Sequence, residues 1–330
     1  MRSERSRSVR GEAPAEPRPL TPLDLSPPTS PSHGSPLTSH GGTVGQALLA
    51  ARRLLESAGV PDAARESSEL YAALKGRPTS AAWLDRDEPC GEDLRAALEA
   101  AARRRAQGWP QAYAAGRANF RGIWLSVDRR VLIPRPETEG LVDVVLGWMR
   151  AGGSRAPCAV ADVGTGSGAI ALALALESEA GRVVAIDRSP DALALARTNV
   201  AEHGAADRVE LVEGDLVAPL GGERVDVVVS NPPYVATAEW EGLEPGVRDF
   251  EPRAALDGGP DGLDPTRELV RTAGAVLKPG GLLALEVDAA RAGPVAGLAA
   301  AAGFVECCVL EDLFARPRYV RARRPADGRD

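Results

Sequence analysis

Two stretches of this sequence carry residue types at spacings that could do chemistry. The first is Asn231-Pro232-Pro233-Tyr234, which follows the Val-rich run Val225 to Val229. The run is β-branched and too short for a helix, so it reads as a buried parallel strand. Pro232 and Pro233 have no N–H and cannot continue a sheet ladder, so the strand must end there. In an open α/β sheet, the crevice beyond the carboxyl ends of the strands is where ligands bind. A planar amino group with two N–H donors suits such a site. The Asn231 Oδ1 and the Pro232 carbonyl can each accept one hydrogen while the Tyr234 ring lies against the plane. The remaining direction on the nitrogen is then open to an electrophile. A plain strand-terminating turn is the competing reading of Asn-Pro, and the four residues together after a Val-rich strand favour function.

The second stretch is Asp162-Val163-Gly164-Thr165-Gly166-Ser167-Gly168, between the apolar run from Ala159 and the helical run Ala169 to Leu176. A strand, a turn with alternating glycines and a helix form the front of a nucleotide-binding βαβ unit, where backbone approaches a ligand closely. A second strand, Val183 to Ile186, ends at Asp187, where an acidic side chain can hold both ribose hydroxyls. An NAD-binding dehydrogenase fits these features equally well. The loop is Gly-x-Gly-x-Gly, however, and Asp162 lies on the strand before it. That suits a cofactor without pyrophosphate, whose amino-acid moiety lies over the loop with its ammonium near a carboxylate; S-adenosylmethionine is such a cofactor. Beyond a third strand, Val209 to Glu213, Asp215 can accept from an adenine amine and Leu216 can pack the ring.

These loops need a framework. From Thr43 the pattern turns helical: one helix to Gly59, a second opened by Pro61 and ending near Gly76, a short third over Thr79 to Leu84, and a fourth over Glu92 to Gln107. Arg103 to Arg105 read as a solvated helix face. Alternation over Phe120 to Ile133, on both sides of Asp128-Arg129, predicts a β-hairpin. Pro136 then opens a helix with Leu141, Val142, Val145 and Leu146 on its apolar face. After Tyr234 a long Pro- and Gly-rich loop, Val235 to Asp261, has the length of a lid or substrate-binding surface. A helix over Pro265 to Leu277, a strand over Leu282 to Val287, a helix over Arg291 to Ala302 and strands over Phe304 to Leu310 and Tyr319 to Arg323 complete the pattern. The expected divisions are a disordered extension over 1–42, a helical domain over 43–115, a hairpin linker over 116–134 and an α/β domain over 135–330.

Composition narrows the class. Hydrophobic residues are 44% and charged residues 26% of the 330, ordinary for a globular protein. A net charge of −7 argues against a broad nucleic-acid surface, so no stable nucleic-acid binding is expected. Cys90, Cys158, Cys307 and Cys308 form no Cys-x-x-Cys pair, and His33, His40 and His203 are scattered. Reduced thiols and no metal centre are the expectation. No apolar run approaches the ~18 residues that span a membrane, and no apolar leader segment opens the chain. A cytoplasmic enzyme is the default expectation.

Three segments in this order, Pro134-Arg135-Pro136-Glu137-Thr138-Glu139, Asp162 to Gly168 and Asn231 to Tyr234, together with Glu251 to Leu256, resemble the HemK/PrmC family. These are the peptide chain release factor glutamine methyltransferases. The resemblance covers about 43–324. It implies a Rossmann-like seven-stranded α/β domain that uses S-adenosylmethionine, preceded by a small helical substrate-recognition domain. It also implies methylation of the side-chain amide nitrogen (N5) of the glutamine in the Gly-Gly-Gln loop of class 1 release factors. Carried onto this chain, Gly164 to Gly168, Asp187, Asp215, Leu216 and Asn231 would contact the cofactor. Asn231, Pro232, Pro233 and Tyr234 would hold the glutamine, with Arg135, Glu137 and Arg253 as further substrate contacts. The chain departs from the family at Gln111 to Phe120 and at Ala284 to Asp288, where a glycine usually ends the stretch. Two alternatives share the motif: a glutamine methyltransferase of a ribosomal protein, and an adenine N6-methyltransferase acting on a flipped base.

Overall fold

The computed structural model describes residues 42–153 and 157–326; the extension expected over 1–42 lies, Gly42 apart, outside them. The chain begins with five helices: α1 Val44–Ser57, α2 Ala63–Lys75, α3 Ala81–Leu84, α4 Glu92–Ala106 and α5 Gln111–Ala115. Thr43 caps α1 by accepting from the Gln46 N–H at 3.3 Å, and the Gln46 side chain returns a bond to Thr43 N, a reciprocal capping box. Leu55, Leu70, Tyr71, Leu98 and Ala101 meet in one buried cluster.

A small hairpin leads out of the helices, with β1 Arg117–Phe120 antiparallel to β2 Ile123–Ser126. Its turn is Arg121-Gly122, not the expected Asp128-Arg129. Both central residues have positive φ, 52° and 79°, as tight hairpin turns require. Asp128 instead closes a local turn by accepting from the Arg130 N–H at 3.0 Å.

Then come α6 Pro136–Arg150, β3 Cys158–Val163, α7 Ala169–Glu177, β4 Ala180–Asp187, α8 Pro190–Glu202, β5 Val209–Glu213 and β6 Val225–Ser230. The chain ends with α9 Pro245–Arg248, α10 Asp264–Val276, β7 Leu277–Glu286, α11 Ala292–Ala301, β8 Val305–Glu311 and β9 Pro317–Arg323. The seven-stranded sheet has the order β5-β4-β3-β6-β7-β9-β8. β3 to β7 pair in parallel and β9 runs antiparallel to both β7 and β8. Both faces are covered: Val160, Leu172 and Val227 lie in one apolar cluster, Val163, Val228 and Leu283 in the other. α7 is apolar on every side and buried from Ala169 to Ala175, as a helix enclosed by its neighbours must be.

Helix α8 escapes the hydrophobic pattern because polar residues interrupt its Ala and Leu positions. Its start was marked by Ser189, whose side chain accepts from the Ala192 N–H, and by Pro190 in the first turn. The Lys278-Pro279-Gly280-Gly281 segment, which stands between the expected helix and the expected strand, lies inside β7. A register shift opposite Val225 to Val227 lets a strand carry residues that a regular ladder would reject. The run of three arginines is not a solvated face. Arg104 donates to the Ala114 carbonyl and Arg105 pairs with Glu66, leaving only Arg103 with its exposed partner Glu99.

Candidate active site

Strand order reverses at β3, with β4 and β5 on one side and β6 on the other. The carboxyl ends of β3 and β6 therefore flank the crevice where open α/β sheets bind ligands. Both chemistry-bearing stretches emerge there. Val163 and Ser230 are register partners, and the Ser230 hydroxyl donates to the Val163 carbonyl at 2.6 Å. One residue beyond this pair, the chain enters the glycine loop on one strand and Asn231 on the other.

The loop is held from beneath. Gly164 and Thr165 donate to the Ile186 carbonyl at 2.8 and 2.9 Å. Gly166 N–H donates to Asp187 Oδ2 at 2.9 Å, and Asp187 Oδ1 accepts from Ser189 N–H at 2.9 Å. Gly164 and Gly166 have φ of 73° and 56°, conformations that glycine reaches without strain. A Cβ built on either meets nothing within 4 Å, so the loop opens onto free space. Below it Asp162 is fully buried, its Oδ2 accepting from Thr165 Oγ1 at 2.6 Å and from Ala171 N–H at 3.1 Å. Its Oδ1 has no partner, and burial pushes the carboxyl up to about 7. An open glycine cradle, a ribose-height aspartate and an orphaned carboxylate oxygen fit a cofactor with a cationic amino-acid end and a nucleoside.

Asn231 is half-buried. Its Nδ2 donates to Thr138 Oγ1, 3.2 Å away in the first turn of α6. Glu286, one residue beyond the Ser230–Leu285 register pair, is the last residue of β7. Glu286 and Thr138 are buried. Desolvation pushes the Glu286 carboxyl up to about 7, against the opposing hydrogen bond from Thr138. The Tyr234 phenol is pushed up to about 12, chiefly by burial.

A cavity of about 180 Å³ adjoins these residues, lined by Asn231, Tyr234, Arg135, Leu132 and, from the loop after Tyr234, Val247 and Leu256. That loop is tied down. Glu251, buried, accepts from Arg135 at 2.5 Å and from Ile133 N–H at 3.2 Å. Arg129 donates to the Asp249 carbonyl at 2.7 Å and stacks on Phe250 and Trp109, 5.3 and 5.8 Å from the ring centres.

Residues 46–116 match the PrmC N-terminal domain family and residues 153–242 the Methyltransferase small domain family. A release factor glutamine methyltransferase of Geobacter sulfurreducens is 41% identical over 85% of this chain and 96% of its own length. One of Cereibacter sphaeroides is 43% identical over 85% and 98%. The chain belongs to the release factor glutamine methyltransferase family. It is an S-adenosylmethionine-dependent methyltransferase with a Rossmann-like domain. The catalytic domain of hMettl16, solved in complex with a MAT2A 3′UTR hairpin, superposes with a TM-score of 0.51 at 15% identity, over 69% of this chain and 82% of that one. That likeness speaks for the fold alone.

Within this methyltransferase the glycine loop, Asp162, Asp187 and Asn231 cluster around the crevice, and Pro232 and Tyr234 follow directly. Asp215 and Leu216 lie just past β5, where Leu216 takes a positive φ of 49°, and Asp187 anchors that turn by accepting the Gly214 N–H at its carbonyl, 3.0 Å away. Arg135 reaches the cavity but is engaged by Glu251. Glu137 contributes its carbonyl, which accepts from the Tyr319 hydroxyl at 2.6 Å. Arg253 is engaged elsewhere, paired with Asp257 at 2.9 Å and lying over the Trp240 ring at 4.8 Å. Three residues at or near the site were not singled out from sequence: Thr138, Glu286 and Asn199. Asn199 is fully buried on α8 and bonds Ser126 N, Ser126 O and Ser167 O at 2.7, 3.0 and 2.9 Å, clipping the hairpin to the glycine loop. A buried polar residue closing an apolar run, as Glu286 does after Leu282 to Leu285, or facing a core, as Asn199 does, was the available signal. Among the described residues no cluster suits a metal ion, and no helix is long and apolar enough to cross a membrane.

Proposed function

We propose that this methyltransferase acts in the cytoplasm on the side-chain amide nitrogen of the glutamine in the Gly-Gly-Gln loop of class 1 peptide chain release factors. The observation that carries the reading is the position of Asn231, one residue past the Val163–Ser230 pair and therefore beside the glycine loop, with its amide nitrogen turned toward Thr138 and its oxygen free. An amide nitrogen is a weak nucleophile because its lone pair is delocalised. Asn231 Oδ1 and the Pro232 carbonyl would accept its two hydrogens, fixing the nitrogen and leaving its attack direction open. Tyr234 would cover the amide plane, and Pro233 sets the backbone that presents these groups. Arg135 and Glu137 would border the substrate; Arg253, committed to Asp257 and Trp240, would meet it only through the outer loop.

Gly164, Thr165, Gly166, Ser167 and Gly168 would hold the amino-acid end of the cofactor, with Asp162 nearby. Asp187 would hold the ribose and Asp215 with Leu216 the adenine. Bound S-adenosylmethionine supplies an electrophilic methyl on a sulfonium that leaves as a neutral thioether. The site therefore needs acceptors and exclusion of water more than a strong base. The half-buried Tyr234 and the tied loop supply the exclusion. We further propose that the helices over 43–115 form a substrate-recognition unit, the hairpin over 116–134 a linker, and 135–330 the catalytic domain.

Methyl-labelled cofactor incubated with purified enzyme and a release factor tests the reading. Label should appear on the factor and vanish when its loop glutamine is changed to alanine. Label on a ribosomal protein or on nucleic acid instead would overturn it.

A further inference from the structure

The cavity wall that carries Val247 and Leu256 belongs to a loop with little regular structure of its own. Its longest regular piece, Thr237–Gly242, is six residues, too short to be stable alone. A weak nucleophile is oriented only by surroundings that stay in place, so this wall must be fixed from outside the loop. Glu251 supplies one anchor, through Arg135 and the Ile133 N–H. Arg129 supplies another. Its guanidinium donates to the Asp249 carbonyl at 2.7 Å and to the Phe250 carbonyl at 3.4 Å, while its face lies over the Phe250 and Trp109 rings. The two rings are 5.4 Å apart and tilted by 54°, within the favourable range for an aromatic pair. Trp109, between α4 and α5, packs against the buried cluster of the helices and also against one cluster of the sheet. A continuous stack therefore runs from the helical unit, through one arginine, to the pocket wall. We propose that Arg129 is a positioning residue for methyl transfer, pinning the loop wall of the amide pocket to Trp109 of the helical unit.

The residue type suits the role. A planar fork can donate within its plane to two successive carbonyls while offering its face to aromatic rings, whereas a lysine ammonium is a compact point charge without that fork. Location suits it too. Arg129 is exposed, and a surface side chain of this kind adds little to global stability. What it fixes is local: the segment 247–251, at whose ends Val247 faces the cavity and Glu251 is buried against Arg135. Arg130, next in the chain and equally exposed, bonds Asp128 beside it and provides a neighbouring comparison outside the stack.

The inference rests on the proposed amide substrate, and its test separates the two. Wild type, Arg129→Met, Arg129→Lys and Arg130→Met are assayed for methyl transfer to a release factor under saturating S-adenosylmethionine. Cofactor affinity, melting temperature and amide hydrogen exchange over 247–251 are measured in parallel. Arg129→Met should lower kcat roughly tenfold, because a displaced wall misaligns an amide that still binds, and KM for the release factor should change by less than about threefold. Cofactor affinity should hold, melting temperature should stay within about 2 °C, and exchange over 247–251 should quicken. Arg129→Lys, which keeps the charge without the fork, should be impaired like Arg129→Met, and Arg130→Met should match wild type. A loss confined to KM, full activity in Arg129→Lys, or a loss shared equally by Arg130→Met overturns the positioning role. So does an activity loss that merely tracks falling melting temperature and cofactor affinity. Absence of methyl transfer by wild type would instead overturn the substrate reading; the exchange data then decide the pinning alone, and unchanged exchange in Arg129→Met would refute it.

Discussion

Replacing Gly166 with alanine separates the strain of a loop from its use. Gly166 has φ of 56° and its Cβ would meet nothing within 4 Å. In the unliganded protein the only cost is therefore the left-handed backbone, about 1–2 kcal/mol for a residue with a Cβ. For a protein of this size that is a fall of roughly 2–4 °C in melting temperature per kcal/mol. Gly59, just past α1, has φ of 71° and equally open surroundings, so Gly59→Ala should show the same loss and serves as a control. The variants should part on cofactor addition. The space above Gly166 is where a ligand's atoms must approach the backbone, and the new methyl would occupy it. The Gly166 N–H is held by Asp187 Oδ2 at 2.9 Å, so the loop cannot swing aside without breaking the contact that fixes it. A loss of at least tenfold in affinity, about 1.4 kcal/mol, is expected for Gly166→Ala and none for Gly59→Ala. Calorimetric titration with S-adenosylmethionine, alongside thermal melts with and without it, reads both. If Gly166→Ala bound the cofactor as tightly as Gly59→Ala, the glycine loop would not be the cradle and the cofactor assignment built on it would fail.

Other perturbations follow from the same contacts. Gly140 lies inside α6, where Gly→Ala normally stabilises by up to about 1 kcal/mol; here the added Cβ would sit 2.2 Å from the Tyr319 hydroxyl. Overpacking of about 1–3 kcal/mol should reverse the sign, visible as a lower urea midpoint for Gly140→Ala. Glu251→Ala would strand Arg135 and the Ile133 N–H, costing roughly 2–4 kcal/mol after allowance for Arg135's partial exposure. It should also free the loop after Tyr234, read as faster hydrogen exchange across 243–256. Asp162 has a folded-state carboxyl raised from 3.8 to about 7. Between those values the folded state binds more protons than the unfolded one, so this group's contribution to stability is present at low pH and lost as pH rises through the window. Asp162→Asn should thus gain melting temperature relative to wild type at pH 8 compared with pH 5; an equal difference at both would refute the assignment.

The residues that could be read from sequence and those that could not differ in one physical respect. Val225 to Val229 announced a buried strand, and Pro232 with Pro233 announced its end, because propensity and missing donors act within a few residues. The same holds for Gly164 to Gly168 and for Asp187 at the end of β4, all of which lie where expected. The hairpin turn was misplaced because Arg121-Gly122 lacks the Asn-Gly or Asp-Gly signature, and only Gly122 hinted at the positive φ that both residues adopt. Thr138, Glu286 and Asn199 belong to a different class. Each is ordinary in its own segment: a threonine in the first turn of a helix, a glutamate at the end of a strand, an asparagine on a polar-spotted helix. What makes them matter is register. Leu285 pairs with Ser230, so the next residue of β7 falls beside Asn231. A shift of one residue would turn Glu286 to the opposite face of the sheet. Which side chain of β7 follows beside Asn231 is therefore set by a pairing between strands over 50 residues apart in the chain, even though Asn231 itself stands out in the sequence.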